Sequence, residues 1–217
     1  MKTNDLTDLI KSRRSIRAWQ NKPVPEETLL QAIETATYAP NGGNRQNWHF
    51  YVVLNRDLIK SIADAVQDVS DKVASWPEVS AWTEEVTRMV QRASFFRSAP
   101  ALIAVTTGQY QSPMDKLFAA RGETDPEAGQ IRQWRASADT KIQSIASVIA
   151  FLCLVLHQMG LGTVWMAGPT QAKGEIEKIL KVPAGMDFVA LLPVGYPAEN
   201  PPFNGRKPVT EVCEVLR

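Results

Sequence analysis

Residues 139–159, DTKIQSIASVIAFLCLVLHQM, constrain the fold more than any other stretch. Their spacing predicts a helix that is apolar almost all round, and such a helix must be enclosed by other elements. Its densest run, Ile145–Leu156, is interrupted by Ser147 and covers about half of the roughly 20 residues that a membrane span needs. The expectation is therefore the central buried helix of a globular domain, ended by Gly160-Leu161-Gly162. The 217 residues, 44% hydrophobic and 22% charged, carry no internal repeat and no low-complexity linker. A single domain over 1–217 follows.

The other elements surround this helix. Asn4 is the expected cap of a short helix carrying Leu6, Leu9 and Ile10. PVPEETLLQAIETATYAP predicts a second helix, with Pro25 in its first turn and a stripe of Leu29, Leu30, Ile33, Ala36 and Thr37, stopped at Pro40. NGGNRQN reads as a loop. NWHFYVVL and MDFVALLPVGYP read as strands, PALIAVTT as a strand of the buried kind, and TVWMAGP as a short strand. Asn55 caps a helix through Leu58, Ile62 and Val66. Ala172–Leu180 is a further helix. Residues 70–98 look helical with weak patterning, and 108–136 read as a long excursion with one short helix. Helices then cover both faces of a small sheet. The tail from 197 to 217 is Pro-rich with few apolar residues to bury on its own subunit, which suits an arm that wraps a partner.

Charge and cysteine content narrow the chemistry. The net charge of +1 argues against nucleic-acid binding. MKTNDLTDLIK has no apolar signal region, so a cytoplasmic protein without a membrane partner is expected. Cys153 and Cys213 cannot form a disulfide framework. Cys153 and His157 share a helical face but lack further ligands, so Cys153 reads as a core residue and no metal is expected. His49 and His157 are the two histidines. No G-x-S-x-G, Walker A or dinucleotide fingerprint is present, because the glycines of GLGTVWMAGP precede a strand.

Three stretches concentrate ligand-binding residue types. KSRRSIRAW (11–19) puts four cations around Ser15. A helix C-terminus matched to its dipole explains about two of them, and an anion cradle of guanidinium groups and a hydroxyl explains the rest. APNGGNRQNW (39–48) is either an ordinary helix–strand loop or one whose glycines admit a ligand close to the backbone. GRKP, with Arg206 and Lys207, is either an exposed basic tail or a further anion contact.

RRSIR with PVPEETL, AP-N-GGN-R-QNW, the APALIAV strand, the helix ending GLG, LLPVGYP and GRKP follow one another in the order found in the nitroreductase-like flavoenzymes, which the chain resembles over nearly its whole length. The resemblance implies an α+β fold, a three-layer α-β-α sandwich on a mostly antiparallel sheet, and a homodimer with swapped C-terminal arms and FMN at the subunit interface. It implies that Arg13, Ser15 and Arg206 hold the FMN phosphate. Arg14 would contact the ribityl chain or phosphate, and Arg17 would stand near flavin N1 and O2. Pro40, Asn41, Gly42 and Asn44 would belong to a loop covering the flavin of the other subunit. Met166, Ala167 and Gly168 would place backbone beside the ring. Asn41 replaces the serine of many relatives, and Gln46-Asn47-Trp48 replaces their Q-P-W.

The implied activity is ping-pong transfer from NADH or NADPH through FMN to a nitroaromatic, quinone-like or enone acceptor. No catalytic acid, base or nucleophile is named, because the flavin carries the chemistry and Arg17 tunes it. The alternatives are a flavin-dependent dehalogenase, a flavin-fragmenting enzyme, or a non-enzymatic flavin protein. The variable lid would be residues 70–136. Its Trp76, Trp82, Tyr110, Phe118 and Trp134 are either local core or a cover over a flat acceptor.

Overall fold

The computed structural model describes residues 3–108 and 111–217. Four strands form its sheet: β1 (Trp48–Val53), β2 (Ala101–Gly108), β3 (Gly162–Thr163) and β4 (Met186–Gly195). Their order is β1-β2-β4-β3, and every neighbouring pair is antiparallel. Trp48 lies opposite Thr107, Ala101 opposite Val194 and Gly162 opposite Gly195. β2 is buried from Ala101 to Thr107, as the apolar run Ala101–Val105 requires, with Thr106 and Thr107 buried at its end.

The side-chain alternation of β2 divides the core into two layers. Ala101, Ile103 and Val105 face helices α2 (Glu26–Ala36) and α7 (Thr140–Gln158). Leu102 and Ala104 face α3 (Arg56–Ala74) and α8 (Lys173–Leu180), with Phe96 and Phe188 between them. The result is the expected α-β-α sandwich, in which one strand period of two feeds two helical layers.

The helix starts and ends have local causes. Asn55 Oδ1 accepts from the amides of Asp57 and Leu58 and so caps α3. Pro25 sits just before α2 rather than in its first turn, and its carbonyl accepts from Thr28 and Leu29. α2 buries Leu29, Ala32 and Ala36, while Leu30 faces solvent at 49% exposure. The narrow stripe is Ala-rich because α2 lies close against α7. α1 (Thr3–Ser12) begins before Asn4, so Asn4 falls inside the helix.

Three expectations need correction. First, α7 is not enclosed all round. Ile145, Val148, Ile149, Leu152 and Leu156 pack on the sheet, but Ile142 and Phe151 stay exposed at 38% and 42%. Second, 108–136 holds two helices, α5 (Pro113–Arg121) and α6 (Pro126–Ala138). Ser112 and Asp115 cap α5 reciprocally, and Asp125 caps α6. Neither shows helical periodicity, because they pack mainly on each other and bury only Ala128. Third, TVWMAGP supplies only the end of β3 and a bridge at Met166, after which Gly168–Ala172 forms a 3-10 turn.

Residues 70–98 hold the end of α3, a 3-10 turn at Pro77–Ala81, α4 (Thr83–Gln91) and a turn at Phe95–Ser98. Trp76, Trp82 and Trp134 are all more than half exposed, so they are not local core. Phe118 lies beneath the Arg135 guanidinium at 6.0 Å, and Tyr110 lies outside the described residues.

Pro126–Gln158 is long and apolar enough to cross a bilayer by length and composition alone. The stretch is broken, however, at Asp139, whose φ of 38° ends α6 and whose carboxylate caps α7 at Ile142. α7 itself closes at Gly160, where φ is +77° and the Leu161 amide reaches back to the Leu156 carbonyl at 2.9 Å.

Candidate functional site

Beyond α1 the chain is laid along the end of the sheet. Ser15 bridges Thr163 in parallel, and the Ile16 amide donates to the Thr163 carbonyl at 3.1 Å. Trp19 Nε1 donates to the Gly162 carbonyl at 2.9 Å, and Gln20 N to the Tyr196 carbonyl at 2.9 Å. Ile16 and Trp19 point into the core. The Arg17 and Ala18 amides both donate to Glu199 Oε1, the latter at 3.1 Å. The cation-rich segment is therefore fixed as backbone before any ligand is considered.

This backbone brings Arg13 and Ser15 to a cleft of about 590 Å³, which Arg206 enters from the tail. Ala150, Cys153 and Leu154 of α7 form its apolar wall, with Trp165 and Ala167 alongside. Arg206 Nη1 donates to the Gly205 carbonyl at 2.6 Å, and its guanidinium lies 5.5 Å over the Phe203 ring. Arg14 covers the same ring at 5.0 Å and donates to the carbonyls of Lys11 and Arg13. Arg17 Nη1 reaches the Ser15 carbonyl at 3.4 Å and does not line the cleft.

Among the described residues none of these four arginines forms a salt bridge, although Arg97 and Arg135 pair with Asp64 and Asp115. Two unpaired guanidinium groups and a hydroxyl form a donor set that fits a phosphate. The adjoining apolar wall fits a planar ring. The Ala167 amide donates no hydrogen bond among the described residues, which leaves a donor at the cleft. An FMN-like group thus matches the residues present.

The field of the cleft is felt by its neighbours. Burial pushes the Cys153 thiol up to about 11, against the opposing pull of Arg13. His157 is held below the usual imidazole range, first by burial and then by Arg13 and Arg14. His49 stands on the sheet with its ring edge-on to Tyr51 at 4.9 Å, away from this cleft. No cluster among the described residues could hold a metal ion.

Other expected site residues lie elsewhere in the protomer. Asn41 Oδ1 accepts from Gln46 N at 3.0 Å, and the Gly42 amide donates to Ser144 Oγ at 3.3 Å. The Pro40–Asn44 loop is thereby seated at the start of α7, nine residues before Cys153, or about 14 Å along the helix. Met166 pairs with Leu191 through both backbone groups, at 3.0 and 2.9 Å, which holds residues 166–168 in place. Ala167 borders the cleft of the arginines, whereas Met166 and Gly168 border a second cleft of about 430 Å³ between α3 and α4.

Trp165, Glu199, Phe203 and the pair Ser12–His157 were not singled out by residue type. Trp165 sits inside the stretch GLGTVWMAGP, but only the fold brings it beside Arg13. Glu199 and Phe203 act across the whole chain length and leave none.

Residues 10–196 of the chain match the model of the nitroreductase family. A putative NADH dehydrogenase/NAD(P)H nitroreductase of Methanothermobacter thermautotrophicus is 27% identical over 91% of this chain and 80% of its own length. An iodotyrosine deiodinase of Thermotoga neapolitana is 28% identical over 94% of this chain and 95% of its own. Among solved structures, a BluB-like flavoprotein from Clostridium difficile 630 superposes with a TM-score of 0.86 at 27% identity, covering 98% of this chain and 99% of that one.

Proposed function

Because the chain belongs to the nitroreductase family, we propose that it is an FMN-dependent oxidoreductase that passes reducing equivalents from NADH or NADPH to a small organic acceptor. The observation that carries this reading is the cleft that joins Arg13, Ser15 and Arg206, without carboxylate partners, to an apolar wall. Arg13 and Arg206 would bind the phosphate in fork geometry, and Ser15 would add a hydroxyl contact. Arg14 would steady the chain between phosphate and ring. Arg17, which lies outside the cleft lining here, would have to release the Ser15 carbonyl and turn inward to meet negative charge at the pyrimidine end of the ring. Ala167, between Met166 and Gly168, would offer its free amide to the ring edge. Bound FMN supplies the hydride or electron transfer, and the protein supplies orientation and field. Donor and acceptor would use one open face in turn, which gives ping-pong kinetics. Nitroaromatic, quinone-like and enone compounds are the acceptor classes we favour, and the cytoplasm is the compartment we expect.

We propose further that two copies of the chain complete the site. The Pro40–Asn44 loop sits on α7 at Ser144, about 9 Å along the helix from Ala150, the nearest α7 residue of its own protomer's cleft, and we propose that it covers the flavin of a partner. Leu6, Ile10, Phe151 and Trp165 form exposed apolar surface around α1, α7 and the cleft. The arm from Phe203 to Leu216 is exposed throughout. β1 is an edge strand, flanked by a cleft of about 740 Å³ with exposed Leu30, Leu54 and Leu58. An extended arm from a second copy would cover such an edge.

The test is an absorbance spectrum of the purified protein, followed by anaerobic addition of NADH and of NADPH. A flavin spectrum that bleaches with one donor and recovers with a nitroaromatic is expected. A colourless protein that takes up no flavin would overturn the reading. Bleaching by dithionite alone would leave a flavin protein without donor activity.

Reductive dehalogenation is the second reading, favoured by the iodotyrosine deiodinase of Thermotoga neapolitana, which spans nearly the same length. Halide release from a halotyrosine by the reduced, anaerobic protein distinguishes it. Loss of the flavin itself under air would point instead to the flavin-fragmenting alternative.

A further inference from the structure

α4 carries an apolar stripe, Val86, Met89 and Val90, continued by Ala93, at the spacing of one helical face. The stripe is unfilled: no residue of the helix is buried, and Met89 is 67% exposed. Between this stripe and Val66 and Val73 of α3 lies the second cleft, of about 430 Å³. Its size, and a mostly aliphatic lining with a few polar groups, are those of a small-molecule site. Met89 and Met166, unbranched and polarisable, let such a site adapt to more than one flat body.

Charge says what the occupant is. Arg88 and Arg92, one turn apart, both line the cleft, and among the described residues no carboxylate does. Neither forms a salt bridge among the described residues. Arg88 uses only Nε, which donates to the Glu84 carbonyl at 3.3 Å. Two guanidinium groups beside an apolar wall complement an anion carried on an apolar body. Gln171 lines the same cleft. Its Nε2 donates to Ser70 Oγ at 2.8 Å, and Ser70 Oγ donates to the Val66 carbonyl at 2.9 Å. One amide hydrogen and the side-chain carbonyl of Gln171 are left for the occupant. Position says where the occupant lies. Met166 and Gly168 border this cleft, and Ala167 between them borders the arginine cleft. The two clefts meet at this three-residue strip, which the Met166–Leu191 pairing holds in place.

We infer that the cleft between α3 and α4 receives the acceptor, and that Arg88 and Arg92 select acceptors that carry a carboxylate on an aromatic body. The inference rests on the reading of the arginine cleft as a flavin site, with the ring edge at Ala167. The carboxylate is held toward α4, and the reducible group lies toward the strip. For a nitro group the balance is two electrons and two protons, supplied as the hydride of NADH or NADPH and a proton from water. The products are the nitroso compound, water and the oxidised nicotinamide.

The experiment compares 4-nitrobenzoate with its neutral counterpart 4-nitrobenzamide in the FMN-loaded protein, with whichever nicotinamide donor bleaches the flavin. kcat/KM for each acceptor is read in wild type, Arg88→Gln, Arg92→Gln and the double variant. The different reducibility of the two acceptors cancels when the ratio of acid to amide is compared between proteins. That ratio should fall about three- to tenfold in each single variant and further in the double variant. Lys178→Gln, which removes the same charge from exposed surface on α8, should leave the ratio at its wild-type value. Binding without turnover gives a second readout. 4-Nitrobenzoate should perturb the spectrum of the oxidised flavin at lower concentration in wild type than in the double variant, and about 0.5 M NaCl should narrow that gap.

A ratio that is equal in all the proteins, or that falls as far in K178Q as in the arginine variants, would overturn the inference and leave the flavin site standing. A colourless protein that takes up no FMN would remove both. If neither acceptor is turned over, the spectral titration carries the same comparison. If the arginine variants do not fold, the wild-type ratio decides: one that does not fall between about 0.05 M and 0.5 M NaCl overturns the inference.

Discussion

Gly162→Ala tests how the cation-rich segment is held. An added Cβ at Gly162 would lie 2.7 Å from Ile16 Cγ1 and 2.8 Å from both Ile16 Cβ and Cγ2. None of these atoms is the free end of a flexible chain. Ile16 is buried and β-branched, and its amide is bonded to Thr163, the next residue. β3 cannot retreat either, since Gly162 is paired with Gly195 on β4. Overpacking of this kind costs about 1–3 kcal/mol. The φ of Gly162 is not in the left-handed region, so alanine also narrows the unfolded ensemble and returns about 0.4–1 kcal/mol. At mid-range the net loss expected is about 1.3 kcal/mol, or a fall in Tm of about 3–5 °C for a chain of this size.

The control for that substitution is Gly168→Ala, whose Cβ would meet nothing within 4 Å; it should move Tm by less than about 1 °C in either direction beyond the entropic gain. Thermal unfolding by circular dichroism with flavin removed reads the stability, and fluorescence titration reads FMN binding. G162A should also bind FMN more weakly, because relief of the clash moves Ile16 and with it Ser15. Ile16→Ala should not rescue it fully, as the Cβ at 2.8 Å remains. A G162A protein with unchanged Tm and unchanged FMN affinity would refute the account of a segment pinned by close approach.

Arg13→Ala and Arg206→Ala should each weaken FMN by about tenfold to a hundredfold, the value of a charge-assisted hydrogen bond, and Arg206→Lys should fall between alanine and wild type; equal affinities in all four proteins would dismiss the phosphate assignment. Asp115 is held down to about 2 by Arg135 first and then by Ser112. Its stabilising contribution is therefore complete above the ordinary carboxylate range and is lost as pH falls toward that value, so the gap in urea midpoint between wild type and Asp115→Asn should shrink from pH 5 to pH 3. At pH 8 a thiol reagent should label the exposed Cys213 rapidly and Cys153 slowly, since the latter is buried with its thiol pushed up to about 11; in Cys213→Ser the rapid phase should vanish.

The layers of the fold were legible because burial writes itself into local pattern. β2 is apolar from Ala101 to Val105 since both its faces are covered, and α3 announces its start with Asn55. Arg13 and Ser15 were legible as crowded charge, and Arg206 only through the order of landmarks along the chain. What stayed hidden works at long range or by exception. Glu199 clamps the Arg17 and Ala18 amides from more than 180 residues away. α5 and α6 cap themselves well but bury almost nothing, so no apolar stripe marks them.

The misreading of α7 is the instructive case. Its apolar girth predicts enclosure, yet the protomer encloses one face and leaves Ile142 and Phe151 in the open. Ala150 and Leu154, which flank Phe151 on the outer face, together with the edge residue Cys153, form the helix's share of the arginine cleft. A helix apolar all round is stable in water only if its second face is also covered. In the proposed dimer, a second copy would cover it at the very wall of the cleft. Flavin binding and assembly would then share one surface, so each would strengthen the other through the apolar area they close off together.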